Sequence, residues 1–390
     1  MHQIVERILK QTDQLIEQHP PKRDYMLAGS LGLGLYYSQL YEHYEEEAYL
    51  DRCIRIIEDV FNKLNNGEPC LLGASLANGV AGLAYLTNLV AGKGWLNIDI
   101  ESEFEVLEEY LFKSALQEIE VDCVDYLHGA FGCIHYFATR KHAETPRRYI
   151  NELVDKLLSR IIREENGVWF RNLVLKKAAE QGANLGLAHG QCSMLMILMN
   201  VFDVLDNQEE VKKVIRQGVE YIMLQKRDID PEEGRYNIFP FHINREEPEA
   251  ATPNRLAWCY SDLNEVLLFY KAASFLKWDE LKRLADLVGL QTLMRKDRPS
   301  TLIDDTHFCH GSAGVAQVYR RIYQESGLVA YEKGYEYWIE QTVLMLEHEL
   351  RTDYYRGKES DLLEGLAGVG LTLLSFISRK ELKWSEMLLL

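Results

Sequence analysis

Residues 79–86 read GVAGLAYL, and the same opening returns as GSLGLGLYY from Gly29, GAFGCIHYF from Gly129, GSAGVAQVY from Gly311 and GLAGVGLTLL from Gly365. Two degenerate copies fill the gaps, GQCSMLMIL from Gly190 and SDLNEVLLF from Ser261. The first glycine or its substitute therefore falls at 29, 79, 129, 190, 261, 311 and 365, and four of the six steps are 50 to 54 residues. A period of that length with two helices per unit is the signature of a repeat architecture. Each copy is apolar on most faces and reads as a buried helix whose small first-turn residues let neighbouring backbones approach. Between the copies run amphipathic stripes: Val5, Ile8, Leu9, Thr12, Leu15 and Ile16; Cys53, Ile57, Val60, Phe61 and Leu64; Val211, Val214, Ile215, Gly218 and Ile222. Strand-like alternation is scarce. Seven such hairpins either stack as an open solenoid or close into a two-layer ring. The ring is expected, because helices apolar all round need cover on every side and neither end carries the polar capping repeat of a solenoid. The expected fold is all-α, one domain over 1–390, with longer connections at 142–185 and 225–254.

With 390 residues, 47% of them hydrophobic, the chain can bury a large core. Its formal charge of −17 excludes the basic footprint of a nucleic-acid binder and favours a basic partner or peptide. Residues 1–20, MHQIVERILKQTDQLIEQHP, carry charges throughout, and no later stretch approaches the roughly eighteen apolar residues of a membrane span, so a cytoplasmic location is expected. Seven cysteines at scattered spacings in such a chain argue against a disulfide framework and leave thiolate chemistry open.

The repeat register makes a functional prediction. The residues just before each first glycine are Ala28, Asn78, His128, His189, Tyr260, His310 and Glu364; one step back lie Leu27, Ala77, Leu127, Ala188, Cys259, Cys309 and Leu363. If the buried helices all run the same way, these positions gather around one mouth, six of whose seven rim residues are polar or ionisable. Cys259 and Cys309 occupy equivalent positions in adjacent repeats, and His310 follows Cys309 in a loop where Gly311 gives the chain freedom. Two thiolates and one imidazole match catalytic zinc with an open fourth position, one ion per chain. His307 is the nearest other ligand. The bland alternative makes both cysteines small buried hydrophobes and His310 a cap residue, which is the role assigned to Cys53, Cys70, Cys123, Cys133 and Cys192. His189 suits proton transfer near neutral pH, Arg255 or Tyr260 suits polarising a carbonyl or supporting an enolate, and Asp125 suits orienting His189 or a substrate amide. Their alternatives are a surface ion pair for Arg255, core packing for Tyr260 and a loop or N-cap role for Asp125 and Asp361.

The segments NLGLAHGQ, NRLAWCYSD, FCHGSAG and DYLHG, with the repeated Gly-x-x-Gly helices, resemble the lanthionine synthetase C-like proteins, the cyclases of lanthipeptide biosynthesis, over nearly the whole chain. The resemblance implies a toroid of seven inner and seven outer helices, an α/α toroid. It also implies a zinc ion held by Cys259, Cys309 and His310, and active-site roles for His189, Arg255, Tyr260 and Asp125. The activity implied is zinc-dependent cyclisation of a dehydrated precursor peptide, leader plus core. A precursor Cys thiolate adds to dehydroalanine or dehydrobutyrine, in association with a dehydratase and an exporter and so at the membrane periphery. Alternatives are addition of glutathione or another small thiol on the same scaffold, and a non-catalytic zinc-containing peptide-binding ring. Ser261, Asn264 and Ser193 stand where the family usually has glycine, which puts local loop geometry in question.

Overall fold

All seven predicted positions, six glycines and Ser261, stand immediately before a helix in the computed structural model, which describes residues 1–174, 182–243 and 254–390. These helices are Ser30–Tyr44, Val80–Gly92, Ala130–Ala138, Gln191–Val201, Asp262–Leu276, Ser312–Ser326 and Leu366–Ile377. Their side chains are buried along nearly the whole length. They alternate with amphipathic helices, among them His2–Gln18, Glu47–Asn65, Glu144–Arg160, Gln208–Met223 and Asp279–Thr292. The apolar stripes read from the sequence are the faces these helices bury: Val5, Ile8, Leu9, Thr12 and Ile16 in the first, Val211, Val214, Ile215, Gly218 and Ile222 in the fifth repeat's partner.

The glycines answer to a steric constraint more specific than helix packing. Their backbones are extended, so left-handed φ is not what selects them. The incoming loop curls back over the helix start instead. A Cβ on Gly79 would lie 2.5 Å from the Ser75 nitrogen, one on Gly129 2.6 Å from the Asp125 nitrogen, and one on Gly190 2.5 Å from the Asn184 carbonyl oxygen. The curl is fastened by the amide just past the glycine, which donates to the carbonyl seven residues earlier. Ser30 bonds Arg23 at 2.9 Å, Val80 bonds Gly73 at 3.0 Å, Ala130 bonds Cys123 at 3.1 Å and Gln191 bonds Asn184 at 2.9 Å. Ser312 bonds Asp305 and Leu366 bonds Glu359, both at 3.0 Å. The fifth repeat lacks the glycine and builds the turn from side chains. Ser261 Oγ donates to the Ala257 carbonyl at 2.8 Å, while Asn264 accepts from the Ser261 amide at 3.1 Å and donates to the Trp258 carbonyl at 2.9 Å, part of a capping box. Ser193 donates to the Gly190 carbonyl at 2.9 Å. The departures from glycine are thus compensated locally.

The chain forms two compact units, residues 1–107, 305–317 and 333–390 in the first and 108–304 with 318–332 in the second. Within the first, backbone bonds join consecutive turns: Cys309 N–H to the Leu363 carbonyl (2.9 Å), Leu362 N–H to Leu27 (2.9 Å), and both Met26 and Leu27 N–H to Ala77 (3.0 and 3.1 Å). The last repeat therefore meets the first. Helix His2–Gln18 packs on Leu366–Ile377, which also packs on Ser30–Tyr44, around a core that includes Tyr36, Phe308 and Trp384. In the second unit the core includes Tyr126, Phe131, Trp258 and Phe269. The 142–185 connection contains helix Glu144–Arg160 and a two-stranded hairpin, Ile162–Glu164 against Gly167–Trp169, laid on Gln208–Met223. In 225–254, the Ile238 and Phe239 amides donate to buried Asp262, which pairs with Arg295 at 3.3 Å. Residues 175–181 and 244–253 of these connections lie outside the described residues.

A direct check compares two alanines on one helix. Gly79→Ala must displace backbone and should cost on the order of 1–3 kcal/mol in urea unfolding. At Gly92, where a Cβ meets nothing within 4 Å, alanine should be neutral or stabilising by up to about 1 kcal/mol. Equal effects would refute the close-approach argument.

Candidate active site

The turn DYLHG places Asp125 four residues before Gly129 with its carboxylate folded back onto its own loop. Oδ1 accepts the Leu127 and His128 amides at 2.9 and 2.8 Å. Oδ2 accepts the Asn172 side-chain amide at 2.8 Å and lies 2.9 Å from Nδ1 of His189. Asn172 also donates to the His189 carbonyl at 3.0 Å, so one amide holds both partners in place. Asp125 is fully buried. Burial alone would raise its pKa, but the His189 hydrogen bond and charge, the Asn172 amide and the His128 backbone amide together leave it below the usual carboxylate value. An ionised carboxylate only accepts, so Nδ1 of His189 carries the proton and Nε2 is left for chemistry. The N-cap alternative for Asp125 accounts for Oδ1 alone; Oδ2 serves the histidine.

His128 stacks on His189, ring centroids 5.8 Å apart and planes 13° from parallel. Burial pulls its pKa down, with the charge of His189 acting the same way against Asp125. The Leu187 and Ala188 amides both donate to the Cys259 carbonyl at 3.0 Å, and Asn264 accepts from the Leu187 amide at 3.1 Å. The AHG turn and the WCY turn are thus paired edge to edge within the second unit. Tyr260 is half-buried against Phe241, centroids 5.0 Å apart. Arg255 is half-buried, and its charge helps to hold the Asp304 pKa down. Cys259 is buried.

Cys309 and His310 belong to the first unit, in the turn DTHFCHG. Both are half-exposed although Thr306, His307 and Phe308 before them are buried. The same alternation marks the other rim positions: Ala28, Asn78, His128, His189 and Tyr260 are half-buried and Glu364 exposed, each beside a buried glycine or serine. Asp305 Oδ1 accepts the His307 amide at 3.0 Å; its Oδ2 lies 3.4 Å from Nδ1 of His307 and 4.0 Å from Nε2 of His310. One ligand atom of each of these three residues falls within 4.8 Å of the others. His307, however, receives the Lys358 ammonium on Nε2 at 2.9 Å, which leaves that nitrogen no lone pair for a metal. Burial pushes its pKa down to about 4, so the ring is neutral.

Asn172, Asp305, Lys358, Glu349 and Tyr355 were not anticipated. Glu349 accepts the Thr306 amide at 3.2 Å and the Tyr355 hydroxyl at 3.0 Å, holding the loop before Cys309. Asp305 had a signal in the register: it stands six residues before its glycine, as Asn184 does, and both accept the amide two residues on. The other four lie in segments without that register. No disulfide joins any two of the seven cysteines. Cys53, Cys70, Cys133 and Cys192 are buried as expected of packing residues, whereas Cys123 is half-exposed with its thiol facing the His128 carbonyl at 3.9 Å. As a donor set, the thiols of Cys259 and Cys309 and the imidazole of His310 are of the chemistry that zinc takes.

A family model described as lanthionine synthetase C-like protein matches residues 20–389. The chain belongs to the lanthionine synthetase C-like family. Among solved structures, nisin cyclase superposes with a TM-score of 0.76 at 20% identity, covering 99% of this chain and 96% of that one. This likeness shows the all-α, α/α-toroid fold class expected from the sequence. An α-1,6-mannanase from Salegentibacter sp. gives 0.47 at 10% identity over 96% and 98% of the two chains, too low to carry an argument. A search of curated proteins found no match. No described helix of this family member is long and apolar enough to cross a membrane.

The Asp125–His189 pair makes a spectroscopic prediction. Nitrogen-15 histidine spectra of the neutral ring should place the His189 proton on Nδ1, and in Asp125→Asn, whose amide can donate, on Nε2. The depressed Asp125 pKa also means that this carboxylate adds stability above about pH 4 and loses it as the pH falls through the folded value, so the same variant should have a flatter acid-unfolding limb. Unchanged tautomer and acid limb would remove Asp125 from the site.

Proposed function

We propose that the chain is a zinc-dependent lanthipeptide cyclase, with Cys259, Cys309 and His310 as the protein ligands of one zinc ion. The observation that carries the reading is the Asp125–His189 pair on a turn hydrogen-bonded to the Cys259 turn. It supports the reading by setting the turn of His189 beside the turn of Cys259 within one unit. Zinc at such a set would bind the thiol of a precursor cysteine as thiolate, making a nucleophile at neutral pH.

The protein's own residues do the rest. His189 takes the thiol proton on Nε2 while Nδ1–H stays on Asp125, whose charge stabilises the imidazolium. The sulfur adds to the β-carbon of a dehydroalanine or dehydrobutyrine in the same peptide, the Cα=Cβ π bond breaks, and its electrons pass to the neighbouring carbonyl as an enolate. Arg255 and Tyr260 are assigned to that oxygen. His189 returns its proton to Cα, so a thioether forms without oxidant, reductant or nucleotide. The substrate is a dehydrated precursor, leader plus core, and the net charge of −17 favours a basic one. A dehydratase and an exporter are the partners this substrate calls for, in the cytoplasm or at the membrane periphery.

The test is thioether formation on a dehydrated, Cys-containing precursor, counted by loss of alkylatable thiol in mass spectrometry. His189→Asn should keep its zinc and lose roughly 10²- to 10⁴-fold in rate. Cys309→Ala should lose zinc yet stay folded. Zinc loss in His189→Asn would mean the ligands are misassigned, wild-type rate in it would end the acid–base role, and addition of glutathione in place of ring closure would favour the small-thiol enzyme.

A further inference from the structure

Zinc-ligating histidines give their second ring N–H to a carboxylate, a backbone carbonyl or water, which fixes the tautomer and strengthens the ligand. In the DTHFCHG turn the carboxylate is within reach of His310: Asp305 Oδ2 faces Nε2 at 4.0 Å, and the Asp305 side chain is largely buried. We infer that Asp305 is the outer partner of His310, taking its Nε2–H and presenting Nδ1 to the metal. The inference rests on the zinc reading of His310 and assigns Asp305 as a positioning residue within it.

Three observations argue that Asp305 is built for this and is not a stray surface acid. Its Oδ1 is already committed to the His307 amide at 3.0 Å, which fixes the carboxylate in the turn, where the Tyr354 hydroxyl also bonds it and Oδ2 faces the two imidazoles. The loop carrying it is anchored by Glu349 through the Thr306 amide and by the Tyr355 hydroxyl. His307 is the competing occupant, and it is held from its other side: Lys358, seated over the Tyr354 ring at 4.6 Å, donates to Nε2, while Nδ1 of His307 lies 3.4 Å from the same Oδ2. The buried Nδ1 has no hydrogen bond within ordinary distance, so a small shift of Oδ2 serves both rings. Asp305 also lies under Gly311, where a Cβ would displace it, so the glycine that starts the helix makes room for the carboxylate as well as for the loop.

The decisive variant is Asp305→Asn, which keeps an oxygen for the His307 amide and removes the charge. Zinc affinity, measured by competition with a chromogenic chelator, should fall by about 10- to 100-fold, with one zinc still bound at saturation. Unchanged affinity would overturn the role of Asp305 and leave the zinc ligands untouched. Should the variant fail to fold, nitrogen-15 histidine spectra of zinc-loaded wild type decide: the His310 proton should sit on Nε2, and a proton on Nδ1 overturns the inference. X-ray absorption of the wild-type metal separates the two levels. A shell with two sulfurs upholds the ligand set, whereas a shell of nitrogen and oxygen alone would place the metal among Asp305, His307 and His310 and overturn both readings.

Discussion

A loop closes over the start of six of the seven buried helices so tightly that the glycine beneath it has no room for a Cβ, and the rest of the structure depends on that approach. With backbone atoms at about 2.5 Å from where the Cβ of Gly79 or Gly190 would stand, side chains are excluded by repulsion, not by preference. The same closure fixes what precedes it. The residue just before the glycine or Ser261 is forced out of the packed turn, which is why His128, His189 and Tyr260 are half-exposed between buried neighbours and His310 is half-exposed before buried Gly311. A packing rule thereby sets the places where chemistry can be displayed.

That rule explains what the sequence made legible. A glycine selected by one recurring contact recurs at one period, so seven helix starts, the rim residues and the equivalence of Cys259 with Cys309 could be counted off the chain. The apolar stripes were legible for a similar reason, since a helix has one buried face and a fixed repeat along it. Asp125 and His189 were visible as candidates, but their contact joins residues 64 positions apart and needed coordinates. Asn172, Glu349, Tyr355 and Lys358 left no trace because they come from segments outside the glycine register. The hairpin at 162–169 was missed because three-residue strands are too short for alternation to show. Ser261 and Asn264 looked like damage to the motif; their hydrogen bonds to Ala257, Trp258 and Leu187 rebuild the turn that glycine provides elsewhere.

The two units repeat one electrostatic device. In each, an aspartate on the loop before a buried helix spends one oxygen on its own turn and turns the other towards imidazole: Asp125 to His189, Asp305 to His307 and His310. A carboxylate held by its own backbone has lost little freedom by the time it meets the ring, so it can set a tautomer that an exposed acid would not. The cost is desolvation. At Asp125 the net pKa still falls, so the hydrogen bonds and the His189 charge outweigh burial. What distinguishes the two is the proposed task, a proton at His189 and a metal at His310.

The claim that binds these parts together is that the substrate's own thiol is what the site activates. Cobalt substitution reads this directly, because each thiolate ligand strengthens a sulfur-to-metal charge-transfer band in the near ultraviolet. Titration with a dehydrated peptide containing cysteine should increase the band, and the same peptide with Cys→Ser should leave it unchanged, a hydroxyl being a poor ligand for a soft site. No increase with the cysteine peptide would mean that protein closes the fourth position, and the account of a thiol-activating cyclase would be wrong.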